Sequence, residues 1–104
     1  MATNYNAIRK ALRKAHNYDP DITVLNLLVL LEIQSGPASV GTLAQKLNAT
    51  QPAISRIVDV WSDWGRGSKQ GRQFVSKTED PNDRRSKILE LTPKGRAWLK
   101  ALLE

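Results

Sequence analysis

Three polar residues stand out by type and spacing. Gln51, Ser55 and Arg56 lie on the side of a short apolar-periodic segment opposite Ile54, Ile57 and Trp61, with Asp59 completing their face. A glutamine amide matches the donor–acceptor edge of adenine, and an arginine presents two parallel N–H groups to the acceptors of guanine. A helix exposing both near its N-terminus has the chemistry to read base edges in a major groove. Ser39 and Thr50 each begin a predicted helix, where a hydroxyl and unpaired backbone N–H groups suit phosphate; capping alone is the plainer use of the same atoms. Arg66, Lys69, Arg72, Lys77, Arg84 and Lys87 supply a further run of cations among glycines and polar residues, suited to a DNA backbone or simply to a solvated surface.

Other chemistry is excluded by what the chain lacks. There is no cysteine, hence no thiol nucleophile, disulfide or Cys-based zinc site. His16, the single histidine, falls at the end of a basic helix, where it complements the helix dipole more naturally than it serves as a base. The acidic residues show no spacing for zinc or an EF-hand, and the glycines of 65–73 do not fit a P-loop. The expectation is a non-enzyme with no cofactor, no metal and no catalytic residue. Sixteen basic against ten acidic residues give a net charge of +6, which favours a polyanionic partner. The most hydrophobic segment, residues 22–33, is broken by Asn26 and Glu32 and is too short to span a bilayer, so a cytoplasmic protein without membrane contact is expected.

With 104 residues, 40% of them hydrophobic, the chain suits one compact domain. Tyr5, Ile8, Leu12 and Ala15 trace the stripe of a first amphipathic helix, and residues 1–21 hold this helix and its turn. Asp21 or Thr23 can cap a second helix reaching Gln34, with Val24, Leu27, Leu28 and Leu31 as one face; it is expected to be central and mostly buried. Val40, Leu43, Ala44 and Leu47 mark a third helix, and Asn48-Ala49-Thr50 a tight connection to the fourth, so residues 39–64 read as a helix-turn-helix. Residues 65–73 form a basic, glycine-rich loop. Residues 74–91 alternate as two strands, Phe74–Glu79 and Ser86–Leu91, around a long charged tip, with a possible third strand near Ala38. Thr92 and Pro93 open a last helix over 92–104 that carries Trp98, Leu99 and Leu102. The fold class is mainly α with a small β-hairpin, a winged helix-turn-helix.

The residues themselves resemble the MarR family of transcription regulators from Val24 to Leu103. The resemblance rests on Ser39-Val40-Gly41-Thr42-Leu43-Ala44-Gln45-Lys46-Leu47, Gln51-Pro52-Ala53-Ile54-Ser55-Arg56-Ile57-Val58, Asp80-Pro81-Asn82-Asp83-Arg84-Arg85-Ser86-Lys87 and Leu91-Thr92-Pro93-Lys94-Gly95-Arg96. It implies that Arg85 at the wing tip enters a minor groove, oriented by Asp83, and that the chain is a sequence-specific regulator of transcription acting on double-stranded DNA, in the manner of a repressor. A narrow minor groove concentrates negative potential, which favours an inserted arginine. A winged helix used for protein contacts with transcription or replication machinery, and a non-specific architectural protein, are the competing readings.

Two features depart from the family. Residues 65–73 form an insertion of roughly eight residues between recognition helix and wing, either a basic loop on the DNA backbone or an inert addition. The long terminal helices through which members dimerise are short here. Tyr5, Ile8, Leu12, Trp98, Leu102 and Leu103 either join in a reduced homodimer interface or cover the domain's own core. Without those helices the family's effector pocket lacks a wall, so no small-molecule effector is expected. The small size suits an economical genome such as that of a phage or mobile element.

Overall fold

Residues 5–62 and 72–104 are described by a computed structural model, the side chains at 84 and 85 excepted. Five helices and two strands follow in the order α1 (Tyr5–Tyr18), α2 (Val24–Gln34), α3 (Val40–Lys46), α4 (Gln51–Trp61), β1 (Val75–Asp80), β2 (Asp83–Leu91) and α5 (Pro93–Leu102). The expected winged helix-turn-helix is the fold observed.

The helix starts are set by hydroxyl caps. Thr23, Ser39, Thr50 and Thr92 each hold an extended backbone and accept a bond from the N–H three residues on, satisfying a donor the helix itself cannot reach. Thr23 makes a reciprocal box with Asn26. Pro52 and Pro93 occupy first turns, where a missing N–H removes no bond. Between α3 and α4 the chain turns through Asn48 at φ 53°, a left-handed conformation that asparagine tolerates better than most residues.

Val29, Leu30 and Ile33 of α2 pack with Leu43, Ile54, Val58, Trp61, Phe74, Val75 and Leu89 to form the core. That corrects the expected orientation of α2. Val24, Leu28 and Leu31 are exposed, Leu27 is half-buried, and the helix is not mostly buried. Apolar residues surround this helix, so periodicity could not choose a face; the docking of α4 and β2 chose it. α1 is similar: Ala15 is buried and Ala11 half-buried, while Tyr5, Ile8 and Leu12 of the expected stripe are exposed.

β1 and β2 pair antiparallel from Val75↔Leu91 to Glu79↔Lys87, then shift so that Asp80 faces Asp83. The tip is therefore a tight turn at Pro81 and Asn82, not a long loop, and the surplus residues 84–86 form a bulge within β2. Ala38 bonds Leu89 through both backbone groups, at 3.1 and 2.7 Å, but as an isolated bridge and not a third strand. Beyond the hairpin, α5 lies against the wing root so closely that a Cβ on Gly95 would stand 2.2 Å from the carbonyl oxygen of Phe74.

Candidate nucleic-acid interface

The N-terminal turn of α4 stands beside that of α3 and the middle of β2. Ser39, Val40 and Gly41 form one wall of a shallow groove of about 590 Å³, Gln51, Pro52 and Ser55 another, and Ser86 with Lys87 the third. Gly41 lies beside the Gln51 side chain: a Cβ there would meet its nitrogen at 3.7 Å, an ordinary contact. The helix-turn-helix connection sets the angle between the two N-termini, and the Ala38–Leu89 bridge ties the start of α3 to the wing.

Gln51, Ser55 and Arg56 are exposed on α4, whose opposite side buries Ile54, Val58 and Trp61. The two helix-start hydroxyls are engaged as caps. Ser39 Oγ accepts from Thr42 N at 3.2 Å and lies 2.9 Å from Thr42 Oγ1, and Thr50 Oγ1 accepts from Ala53 N at 3.2 Å. Each hydroxyl retains the capacity to bond a further group. Lys87 is exposed on β2 and lines the groove directly.

The remaining cations divide. Lys77 is drawn back along the wing to Asp59 of α4 at 2.5 Å, so recognition helix and wing are joined by an ion pair. Arg72 is half-buried against Asp19, with its guanidinium over the rings of Tyr18 and Trp61 at 5.3 and 5.4 Å. Its backbone N–H also donates to Val60 O. The structure thus uses Arg72 to fasten the chain after the insertion to the α1–α2 turn, and does not bring it to the groove. Arg66, Lys69 and Trp64 lie outside the described residues, as does most of the insertion. Asp83 is exposed at the start of β2; Arg84 and Arg85 lie on the bulged backbone beside the tip, a local irregularity of the kind that bends and twists a strand.

Sequence reasoning missed Val40, Gly41, Pro52 and Ser86 as lining residues and the Asp59–Lys77 pair. None of these lining residues carries a charge, and they follow only from the packing of α3 on α4 and of the wing beside them; opposite charges on two elements expected to adjoin were a signal for the ion pair. Away from this face, α1, α2 and α5 leave an apolar groove of about 520 Å³ lined by Leu12, Leu27, Leu31, Leu99 and Leu102. The expected terminal set splits there: Tyr5, Ile8, Leu12 and Leu103 are exposed, Trp98 is half-buried and Leu102 buried. Tyr18, Trp61, Phe74 and Trp98 pack as one aromatic cluster of stacked and tilted pairs, with ring centroids 5.1 to 5.9 Å apart. Among the described residues no group of side chains could hold a metal ion, and no helix is long and apolar enough to cross a membrane.

No family model matches the chain. It is 32% identical over 76 residues to the HTH-type transcriptional regulator YhbI of Bacillus subtilis, covering 72% of this chain and 44% of that protein. It is 31% identical over 86 residues to the HTH-type transcriptional repressor NicR of Pseudomonas putida, covering 82% and 49%. The chain thus spans about half the length of the curated relatives it matches. Among solved structures it is similar to the transcriptional regulator BldR of Sulfolobus solfataricus, at 26% identity and a TM-score of 0.69, covering 95% of this chain and 65% of that one. A mutant MarR from E. coli, complexed with operator DNA, shares the fold at 23% identity and a TM-score of 0.67, over 94% of this chain and 66% of that one.

Proposed function

The chain shares the winged-helix fold of MarR and its curated relatives are HTH-type transcriptional regulators; from that premise we propose that it is a non-enzymatic regulator of transcription that binds double-stranded DNA sequence-specifically and represses by occupying a promoter. Gln51, Ser55 and Arg56 read the major groove, and the wing arginine Arg85, oriented by Asp83, enters the minor groove. Ser39, Thr50, Arg84 and Lys87 hold phosphates.

The observation that carries this reading is the convergence of Ser39, Gln51, Ser55 and Lys87 on one groove at the start of α4. A winged helix specialised for protein contact has no need of that set on one face. Repression is favoured by the likeness to NicR, a transcriptional repressor. Lys77 contributes to the interface through Asp59, and Arg66 and Lys69 add backbone contacts from the insertion. The test is selection of random-sequence duplexes on the purified protein at near-physiological salt. Recovery of a motif supports specific reading; binding that falls with salt and enriches no sequence makes the protein a non-specific architectural module.

A further inference from the structure

Among the described helices, α1 carries the most basic residues, and it does not line the reading groove. α1 carries Arg9, Lys10, Arg13 and Lys14 and no acidic residue, in a chain whose whole net charge is +6. These residues, with Asn6 and Asn17, line a shallow groove of their own on the outer side of the helix. Tyr18 packs against Trp98 at 5.1 Å, while Lys14, one turn earlier, donates to the carbonyl oxygens of Ala101 at 2.8 Å and Glu104 at 2.5 Å. α1 therefore runs antiparallel to α5, and residues 5–10, all exposed, continue past its end.

Lys14 is spent on the carbonyls that end α5, which leaves Arg9, Lys10 and Arg13 as the outward cations. Among the described residues none of the three forms an ion pair; Arg9 donates to Asn6 Oδ1 at 2.9 Å. Arg9 and Arg13 stand about 6 Å apart along the helix axis, inside a Debye length of about 8 Å at physiological salt, so their potentials add.

We infer that the outer face of α1 is a second phosphate-binding surface, which takes the backbone of a second DNA duplex while α4 and the wing hold the first. The inference rests on the DNA-reading function proposed above. Charge complementarity identifies the occupant: three unpaired cations with two asparagines suit a repeating phosphate backbone, and nothing on this face reads a base. An anionic membrane fits less well. An interfacial helix sinks its whole apolar side into lipid, whereas α1 packs the inner part of that side, Ala11 and Ala15, on its own protein and leaves Tyr5, Ile8 and Leu12 exposed.

The experiment is a capture assay at about 50 mM salt, where backbone contacts are strong. A duplex carrying the selected motif is fixed to beads, protein is bound, and a labelled duplex lacking the motif is added. The wild type is expected to retain the label, and the combined variant Arg9→Gln, Lys10→Gln, Arg13→Gln to lose at least about tenfold of it while holding the bead duplex as tightly as before; loss of three phosphate contacts also removes about 3 from the salt slope of label binding. Equal capture by both proteins, as a dimer with two reading faces would give, overturns the inference, as does no capture by either. Weaker binding of the variant to the bead duplex, with the slope change appearing there, also overturns it by placing α1 on the read duplex. Wild-type protein that holds no bead duplex contradicts the DNA-reading function itself, a result distinct from the others.

Discussion

Asp59 is the acidic residue of α4, a helix otherwise neutral or basic, and its partner shows why it is tolerated. Held at 2.5 Å by Lys77, it faces the wing with its charge balanced, and it links the helix proposed to enter one groove to the hairpin proposed to enter the next. Both side chains are partly exposed, so the pair contributes under about 1 kcal/mol to folding. Its larger effect is on pre-organisation of the two reading elements. Asp59→Asn is expected to leave the melting temperature nearly unchanged, raise affinity for random duplex through the lost negative charge, and lower the ratio of specific to non-specific affinity about fivefold; titration against both duplexes measures it, and an unchanged ratio reduces the pair to surface chemistry. Arg72 and Arg56 make the opposite contrast. Arg72→Ala removes an ion pair and two ring contacts and should destabilise the fold by about 1–3 kcal/mol, with the salt dependence of DNA binding unaltered. Arg56→Ala should leave thermal stability as it is and relax base preference at one position by about 1–3 kcal/mol. Paired melting curves and binding isotherms separate the two. Nothing in the local sequence distinguished these arginines, because the partners of Arg72 come from residues 18, 19 and 61, which only the fold brings together.

Among the elements, legibility followed the strength of local signals. The hydroxyl caps of α3, α4 and α5, the two first-turn prolines and the amphipathic pattern of α4 were all readable, since each depends on residues within a turn of one another; the cap of α2 was narrowed to Asp21 or Thr23, and Thr23 holds it. The face of α2 was not, because a helix apolar on all sides is oriented by its neighbours. The wing tip was misjudged for a related reason: charged residues are compatible with both a long loop and a bulged strand, and cross-strand register decides between them. Gly95 belongs to this scale. Its role in the Leu91–Arg96 motif is to let α5 touch the backbone of Phe74, so Gly95→Ala should destabilise by about 1–3 kcal/mol, the usual range for overpacking, and a fall in the denaturation midpoint checks it. An unchanged midpoint would mean that α5 can slide without loss. Thr50→Ala, removing the cap of α4, is expected to cost about 1 kcal/mol of stability and to weaken DNA binding as well, because the same turn presents Gln51.

At the scale of the molecule, the arrangement amounts to a small core of α2, α3, α4 and the wing root that aims one helix start and one hairpin in the same direction, with basic and apolar surface left on α1, α2 and α5. The fold class and half of the groove's lining were legible from spacing and resemblance. The division of cations into reading, fastening and outward-facing sets was not, since charge is visible in a sequence and its pairing is not. The central claim, that α4 reads a major groove and the wing a minor groove of the same duplex, is tested most directly by dimethyl sulfate reactivity of a selected duplex, because the reagent methylates guanine in the major groove and adenine in the minor groove. The bound wild type should protect guanines at the centre of the site and adenines beside it. Arg56→Ala should restore reactivity at a guanine alone, and Arg85→Ala at the flanking adenines alone. A bound duplex with neither groove protected, or two variants that restore the same bases, would contradict the account.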